Sequence, residues 1–202
     1  MVPSRKQINY LARVLNLNEL VIDFGCGNGF ISSLLLDEEL NSTYWGVDPY
    51  VSPNLNKSNF THYKKLPKIE KPYALLSSQA DKSVPLHLCF ENRKPDIACF
   101  LLLPDLFGRG GKQVQLEFKN HRLFTTEETE LFDMGELERL GYKKIFDDQA
   151  YSPFWDESKL LVYALPAFAE KVSSIQYLEI EPYPWEKTSD FKSSTTSELS
   201  LS

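Results

Sequence analysis

Residues 21–30 read VIDFGCGNGF, and this stretch decides the fold. Residues 20–24 (LVIDF) form a short apolar run broken only by Asp23, the length of a buried strand. Gly25, Gly27 and Gly29 follow at alternate positions, and residues 30–36 (FISSLLL) read as a helix. A strand that turns through glycines into a helix opens an α/β unit, and the rest of the chain continues that alternation. Upstream, Ser4 is placed to cap a helix reaching Asn16, with Ile8, Leu11, Val14 and Leu15 at helical spacing. Downstream, residues 43–48 predict a second strand ended by Pro49, residues 73–77 a third, and residues 96–103 a fourth stopped by Pro104. Gly110 and Gly111 turn the chain into a fifth, residues 113–118. Thr125 with Glu128 has the form of a capping box. The helix it predicts continues through Leu131, Met134, Leu137 and Leu140 to Gly141. Residues 142–146 and 160–164 predict two last strands. The expected architecture is α/β, with a mostly parallel seven-stranded sheet, a terminal antiparallel hairpin and helices on both faces.

The composition narrows the class. The chain has 202 residues, 42% hydrophobic and 25% charged, enough to bury a core. Its longest apolar run, residues 98–103, is strand-sized and far short of the roughly 18–20 residues that span a bilayer. Residues 1–6 (MVPSRK) lack the apolar segment of a secretory signal. Cys26, Cys89 and Cys99 are too few for a disulfide framework, and His62, His87 and His121 stand apart from any zinc spacing. A soluble protein of the cytoplasm is expected, with the nucleus left open, no membrane and no metal. Residues 1–166 are expected to form one domain and 167–184 an extension, either a short helix or a packed segment. Residues 185–202 (WEKTSDFKSSTTSELSLS), rich in Ser and Thr, are expected to form a disordered tail.

The net charge is −6, which disfavours non-specific nucleic-acid binding. One window runs against it. Lys57, Lys64, Lys65, Lys68 and Lys71, with His62, share residues 57–71 with Glu70 as the one carboxylate. The window reads either as a solvated loop or helix face or as a phosphate-contacting patch.

The glycine loop carries the chemistry. Glycines there permit a tight turn and let a ligand lie against the backbone, with the N–H groups of the next helix behind it. In open α/β sheets this place, beyond the carboxyl ends of the strands, is where ligands bind. A dinucleotide loop would need glycine at position 30, where the chain has Phe30. Asp23 on the strand end suits a cationic amino-acid group and repels a pyrophosphate. Asp48 closes the second strand, where an acid accepts ribose hydroxyls. Together they describe a nucleoside carrying an amino acid and no phosphate, which is S-adenosylmethionine.

These residues resemble a known family. VIDFGCGNG followed by YWGVDP is similar to motifs I and II of the class I, Rossmann-like, S-adenosylmethionine-dependent methyltransferases, and the resemblance spans about residues 20–165. It implies that Gly25, Cys26, Gly27 and Gly29 line the methionine part, with Asp23 near the amino group and Asp48 on the ribose. It places Ala80 and Asp81, after the predicted third strand, in the adenine-contacting loop. GRGGKQVQLEF resembles the family's turn into strand five, and GELERLGYKK its last helix and following strand. The Asn/Asp-Pro-Pro-aromatic motif of enzymes that methylate base amines is absent, since residues 103–107 read LPDLF. A second resemblance, in residues 79–85, 100–104 and 107–108, is to eukaryotic tRNA uridine 2′-O-methyltransferases. Their Pro-Cys-Cys after strand four is replaced here by Pro104, Asp105 and Leu106. It implies an RNA acceptor, to which the lysine window would supply phosphate contacts.

Methyl transfer is an in-line displacement, and an oxygen or amine acceptor must also lose a proton. Three residues at the carboxyl edge of the predicted sheet are candidates. Asp105 is a base or a helix N-cap. Lys119 lowers a hydroxyl pKa or is an exposed lysine. Glu157 positions a hydroxyl or is a turn residue. Tyr151, Phe154 and Trp155, beside Pro153, form a stacking lid or a satellite apolar cluster. Cys26 reads as a small buried filler. The competing function is a degenerate methyltransferase-fold subunit that binds partners, for which Tyr177, Tyr183 and Trp185 near the C-terminus offer a surface. A nicotinamide-dependent oxidoreductase fails at Phe30 and Asp23.

Overall fold

The computed structural model describes residues 3–78, 87–102, 113–117, 122–126, 135–148 and 158–187. The chain opens with α1 (Arg5–Leu15), held by a capping box in which Ser4 Oγ accepts the Gln7 N–H and Gln7 Oε1 accepts the Ser4 N–H. Then follow β1 (Leu20–Phe24), α2 (Phe30–Asp37), β2 (Thr43–Val47), β3 (Phe60–Tyr63), β4 (Ala74–Ser77), α3 (His87–Asn92) and β5 (Ile97–Leu102). The second half holds β6 (Gln113–Glu117), β7 (Arg122–Thr126), α4 (Gly135–Arg139), β8 (Lys143–Asp147), β9 (Lys159–Ala164) and α5 (Pro166–Ser173).

Seven strands form one sheet in the order β3-β2-β1-β4-β5-β9-β8. The first five of these run parallel, β9 is antiparallel to β5, and β8 is antiparallel to β9. A mostly parallel sheet with an antiparallel pair at one end is what the sequence predicts. Alternation along each strand sorts the core onto two faces. On one face Val21, Tyr44, Leu76 and Cys99 pack with Leu11, Ile31, Leu35 and Val172 from α1, α2 and α5. On the other, Ile22, Leu75, Ala98 and Phe100 pack with Cys89, Phe90 and Leu137 from α3 and α4.

The sequence reading omits one strand and so numbers the later ones differently, which bears on the candidate site. Residues 60–63 (FTHY) form a strand that the reading omits, because a four-residue, half-polar edge strand has no apolar run. Residues 73–77, expected third, therefore lie beside β1 in the fourth position, and the strand expected fourth, at residues 96–103, is fifth. Residues 113–118, expected as a fifth strand of the sheet, instead pair antiparallel with Arg122–Thr126 in a separate two-stranded sheet. Thr125 and Thr126 belong to that pairing, not to a capping box. Among the described residues, the helix expected after it is the five-residue α4.

Residues 174–187 return along α1. Arg13 donates to the Gln176 carbonyl, Tyr177 packs on Tyr10 and Phe146, and the Arg5 guanidinium lies over the Tyr183 ring. The aromatic residues Tyr177 and Tyr183 are thus used by the chain itself. The rest of the expected tail, residues 188–202, lies outside the described residues. Among the described residues, no helix is long and apolar enough to cross a membrane.

Candidate cofactor site

The strand order reverses between β1 and β4, which makes their carboxyl ends the place where a crevice opens. Asp23 pairs with Gly46 of β2 and with Leu76 of β4. Phe24 and Ser77 are the last residues of β1 and β4. The glycine loop leaves from this point.

Its three glycines take φ of +83°, +54° and +79° at Gly25, Gly27 and Gly29. These are left-handed values that side chains resist. The loop is stitched to the end of β2. The Gly25 N–H donates to the Val47 carbonyl at 2.7 Å, and the Gly27 N–H donates to Asp48 Oδ2 at 3.0 Å. Asp48 Oδ1 also accepts the N–H groups of Tyr50 and Val51, at 2.8 and 2.9 Å. Three donors occupy a carboxylate with room for about four, so Asp48 keeps capacity for one further hydroxyl. The His62 ring nitrogen Nε2 lies 3.2 Å from the Asp48 carbonyl.

Gly29 faces side chains of the chain itself. A Cβ there would come within 2.6 Å of Pro53 Cβ and 3.0 Å of Leu55 Cδ1. The segment after β2 packs on this glycine. Cys26 is buried, its Sγ 2.9 Å from where a Cβ on Gly46 would stand, and burial pushes its thiol pKa up. It fills space rather than reacting.

Asp23 is the unusual group. It is fully buried beneath the loop, and its Oδ2 accepts hydrogen bonds from Tyr44 Oη at 2.7 Å and Ser32 Oγ at 2.9 Å. Its Oδ1 is buried with no hydrogen-bond partner. Burial pushes its pKa up to about 6 from 3.8, against the pull of the two hydroxyl donors. A carboxyl in that state gains from a cationic partner. Tyr44 and Ser32 are absent from the residues chosen on sequence grounds. The register supplies the missing signal: Tyr44 pairs with Val21, which shares a face with Asp23.

The same edge of the sheet holds a second buried polar group. Gln7 Nε2 donates to Asp148 Oδ2 at 2.5 Å and to the Ser158 carbonyl at 2.7 Å, and Gln7 Oε1 accepts from Ser158 Oγ. One glutamine of α1 thereby holds both ends of the β8–β9 connection. Burial raises the Asp148 pKa to about 6. Glu157 precedes Ser158 but lies outside the described residues. So do Ala80, Asp81, Asp105, Lys119, Tyr151, Phe154 and Trp155. The corrected strand numbering bears on three of these positions. Residues 80 and 81 follow the strand beside β1, and residue 105 follows β5, one strand farther from the switch point. The residues that leave β4 at the crevice are Ser77 and Ser78, both buried. Among the described residues, no group of three or more His, Cys, Asp or Glu side chains is placed to hold a metal ion.

No protein-family model matches the chain, and no curated protein matches it. Among solved structures it is similar to the methyltransferase domain of bacterial CtHen1. For the form called CtHen1-C the TM-score is 0.53 at 17% identity, covering 80% of this chain and 97% of that one. For CtHen1-CN the TM-score is 0.52 at 16% identity, covering 80% and 98%. Likeness at this level of identity establishes the fold, which is the Rossmann-like class I methyltransferase fold.

Proposed function

We propose that this chain is an S-adenosylmethionine-dependent methyltransferase with RNA as its acceptor. The observation that carries the reading is the buried Asp23 carboxyl with an unpartnered oxygen, set under a loop of three left-handed glycines whose middle N–H is tied to Asp48. The fit is chemical. Asp23 supplies the counter-charge for an amino group, Gly25 and Gly27 give a backbone with no side chain in the way, and Asp48 has one acceptor place left for a ribose hydroxyl.

When bound, the cofactor supplies a methyl group on an electrophilic sulfonium. The chain's residues then have two tasks. The loop and the ends of β1 and β4 must hold the acceptor in line with that methyl, since alignment to about 3 Å supplies much of the acceleration. A basic group must also take the acceptor's proton. Asp105 is the proposed base, with Lys119 lowering a hydroxyl pKa and Glu157 positioning a hydroxyl.

A second reading has one observation in its favour. Asp48 is held by three backbone N–H groups and Gly29 is packed by Pro53 and Leu55, so the loop keeps its shape without a ligand. On that reading the domain is a methyltransferase-fold subunit that serves a partner. Calorimetry with S-adenosylmethionine separates the two. Saturable micromolar binding to the folded protein, weakened in Asp48→Ala, is expected of the enzyme. Heats of dilution alone from a folded wild type would overturn it.

A further inference from the structure

The connections on either side of β3 carry two features that the glycine loop does not use. Tyr50 is 75% exposed, the highest among the large hydrophobic side chains of the described residues. Its backbone is nonetheless fixed, because its N–H and that of Val51 both donate to Asp48 Oδ1. An aromatic ring is thus presented to solvent from an anchored turn.

The second feature is the lysine window. Lys57 is paired with Asp37 at 2.8 Å and Lys68 with Glu70 at 3.3 Å, so two of its five charges are locally balanced. Lys64, Lys65 and Lys71 are exposed and have no ion pair among the described residues. Lys64 and Lys65 directly follow Tyr63, whose carbonyl accepts the Asp48 N–H at 3.0 Å. They therefore leave the sheet at the same edge as Tyr50, one strand over. Guarding an edge strand against other chains is the ordinary use of such lysines. Here β3 itself, residues 60–63, contains none, and Lys64 and Lys65 stand just past the end of its pairing.

An anchored, exposed ring beside two unpaired lysines matches a flat group joined to a phosphate. That is the chemistry of a single strand of nucleic acid, in which bases stack on aromatic rings and phosphates meet lysines. An acidic peptide would use the lysines and leave Tyr50 idle, and a duplex keeps its bases stacked inside. We propose that single-stranded RNA crosses the carboxyl ends of β2 and β3, with one base on Tyr50 and its phosphates on Lys64 and Lys65. The proposal rests on the RNA-acceptor reading and gives the acceptor a path toward the crevice.

The test is fluorescence anisotropy of the full chain with a labelled single-stranded RNA of about 12 nucleotides, a length matched to known site sizes. It is run across a salt series, with S-adenosylmethionine calorimetry on the same proteins. Tyr50→Ala is expected to weaken RNA binding about 5- to 100-fold and leave cofactor affinity unchanged. Lys64→Ala with Lys65→Ala is expected to flatten the salt dependence by about 1.4 in log–log slope, at about 0.7 per phosphate contact. Lys68→Ala, which removes a paired charge, is expected to change little. RNA binding untouched by these substitutions would overturn the proposal. So would loss of cofactor affinity in Tyr50→Ala with RNA binding intact, because Tyr50 would then belong to the cofactor. A wild type that binds RNA through these residues but no S-adenosylmethionine would leave this surface standing and sink the enzyme reading.

Discussion

Replacing Asp23 by asparagine is expected to change stability and cofactor affinity in opposite directions at neutral pH and above. The side chain is fully buried, with one oxygen held by Tyr44 and Ser32 and the other unpartnered. Its pKa is pushed from 3.8 to about 6, so the folded protein holds this proton more tightly than the unfolded chain. The stability it contributes is therefore fully present below about pH 4 and is lost as pH rises through about 6. A displacement of that size corresponds to roughly 3 kcal/mol once the group is ionised. Asparagine never ionises, but it leaves an amide N–H where the free oxygen stood, at a cost of about 1–3 kcal/mol. Relative to wild type, Asp23→Asn is expected to be less stable at pH 4.5 and equal or more stable at pH 8. The difference between the two proteins should move by about 2 kcal/mol over that range, since part of the effect is already lost by pH 4.5. Urea unfolding at pH 4.5, 6 and 8 reads this directly, and Tyr44→Phe, which removes a donor to the carboxylate, should carry the wild-type loss to higher pH. At pH 8 the same variant is expected to bind S-adenosylmethionine at least about tenfold more weakly, because a charge-assisted contact is worth about 1.5–3 kcal/mol. A stability difference that does not vary with pH would refute the account of Asp23 as a strained carboxyl. Unchanged cofactor affinity would refute its role as a counter-charge.

Other substitutions probe the frame around it. Gly29→Ala combines a left-handed φ with the 2.6 Å approach to Pro53 and is expected to cost about 2–5 kcal/mol. Gly141→Ala, at φ +95° with nothing within 4 Å, should cost only the strain of about 1–2 kcal/mol, and equal thermal shifts in the two variants would contradict the packing argument. Asp48→Ala leaves three backbone N–H groups without their acceptor, so a loss of about 2–4 kcal/mol in denaturant unfolding is expected alongside weaker cofactor binding. Gln7→Ala should cost about 2–4 kcal/mol by the same measurement, since it strands buried Ser158 and Asp148. Cys26, Cys89 and Cys99 are buried with thiols pushed up, so a thiol reagent should titrate none of them in the native protein and all three in urea.

The alternation of strands and helices, the glycine turn, the cap at Ser4 and the acids at 23 and 48 are written in the sequence because each is a local matter. Apolar runs, turn residues and short-range hydrogen bonds leave their mark within a few positions. What the sequence alone does not hold is which strand lies beside which. The four residues of β3 gain their place from pairing with β2, 16 residues earlier in register, and not from any pattern of their own. That one strand makes Ala74–Ser77, and not residues 96–103, the fourth strand, which pairs with β1 and leads to the crevice. The partners of Asp23 are likewise set by register, the exposure of Tyr50 by its fixed turn, and the pairing of Lys57 and Lys68 by contacts made only after folding. Local composition determined that this chain builds a glycine loop at a strand end. Long-range pairing, which no short window encodes, decided what that loop faces.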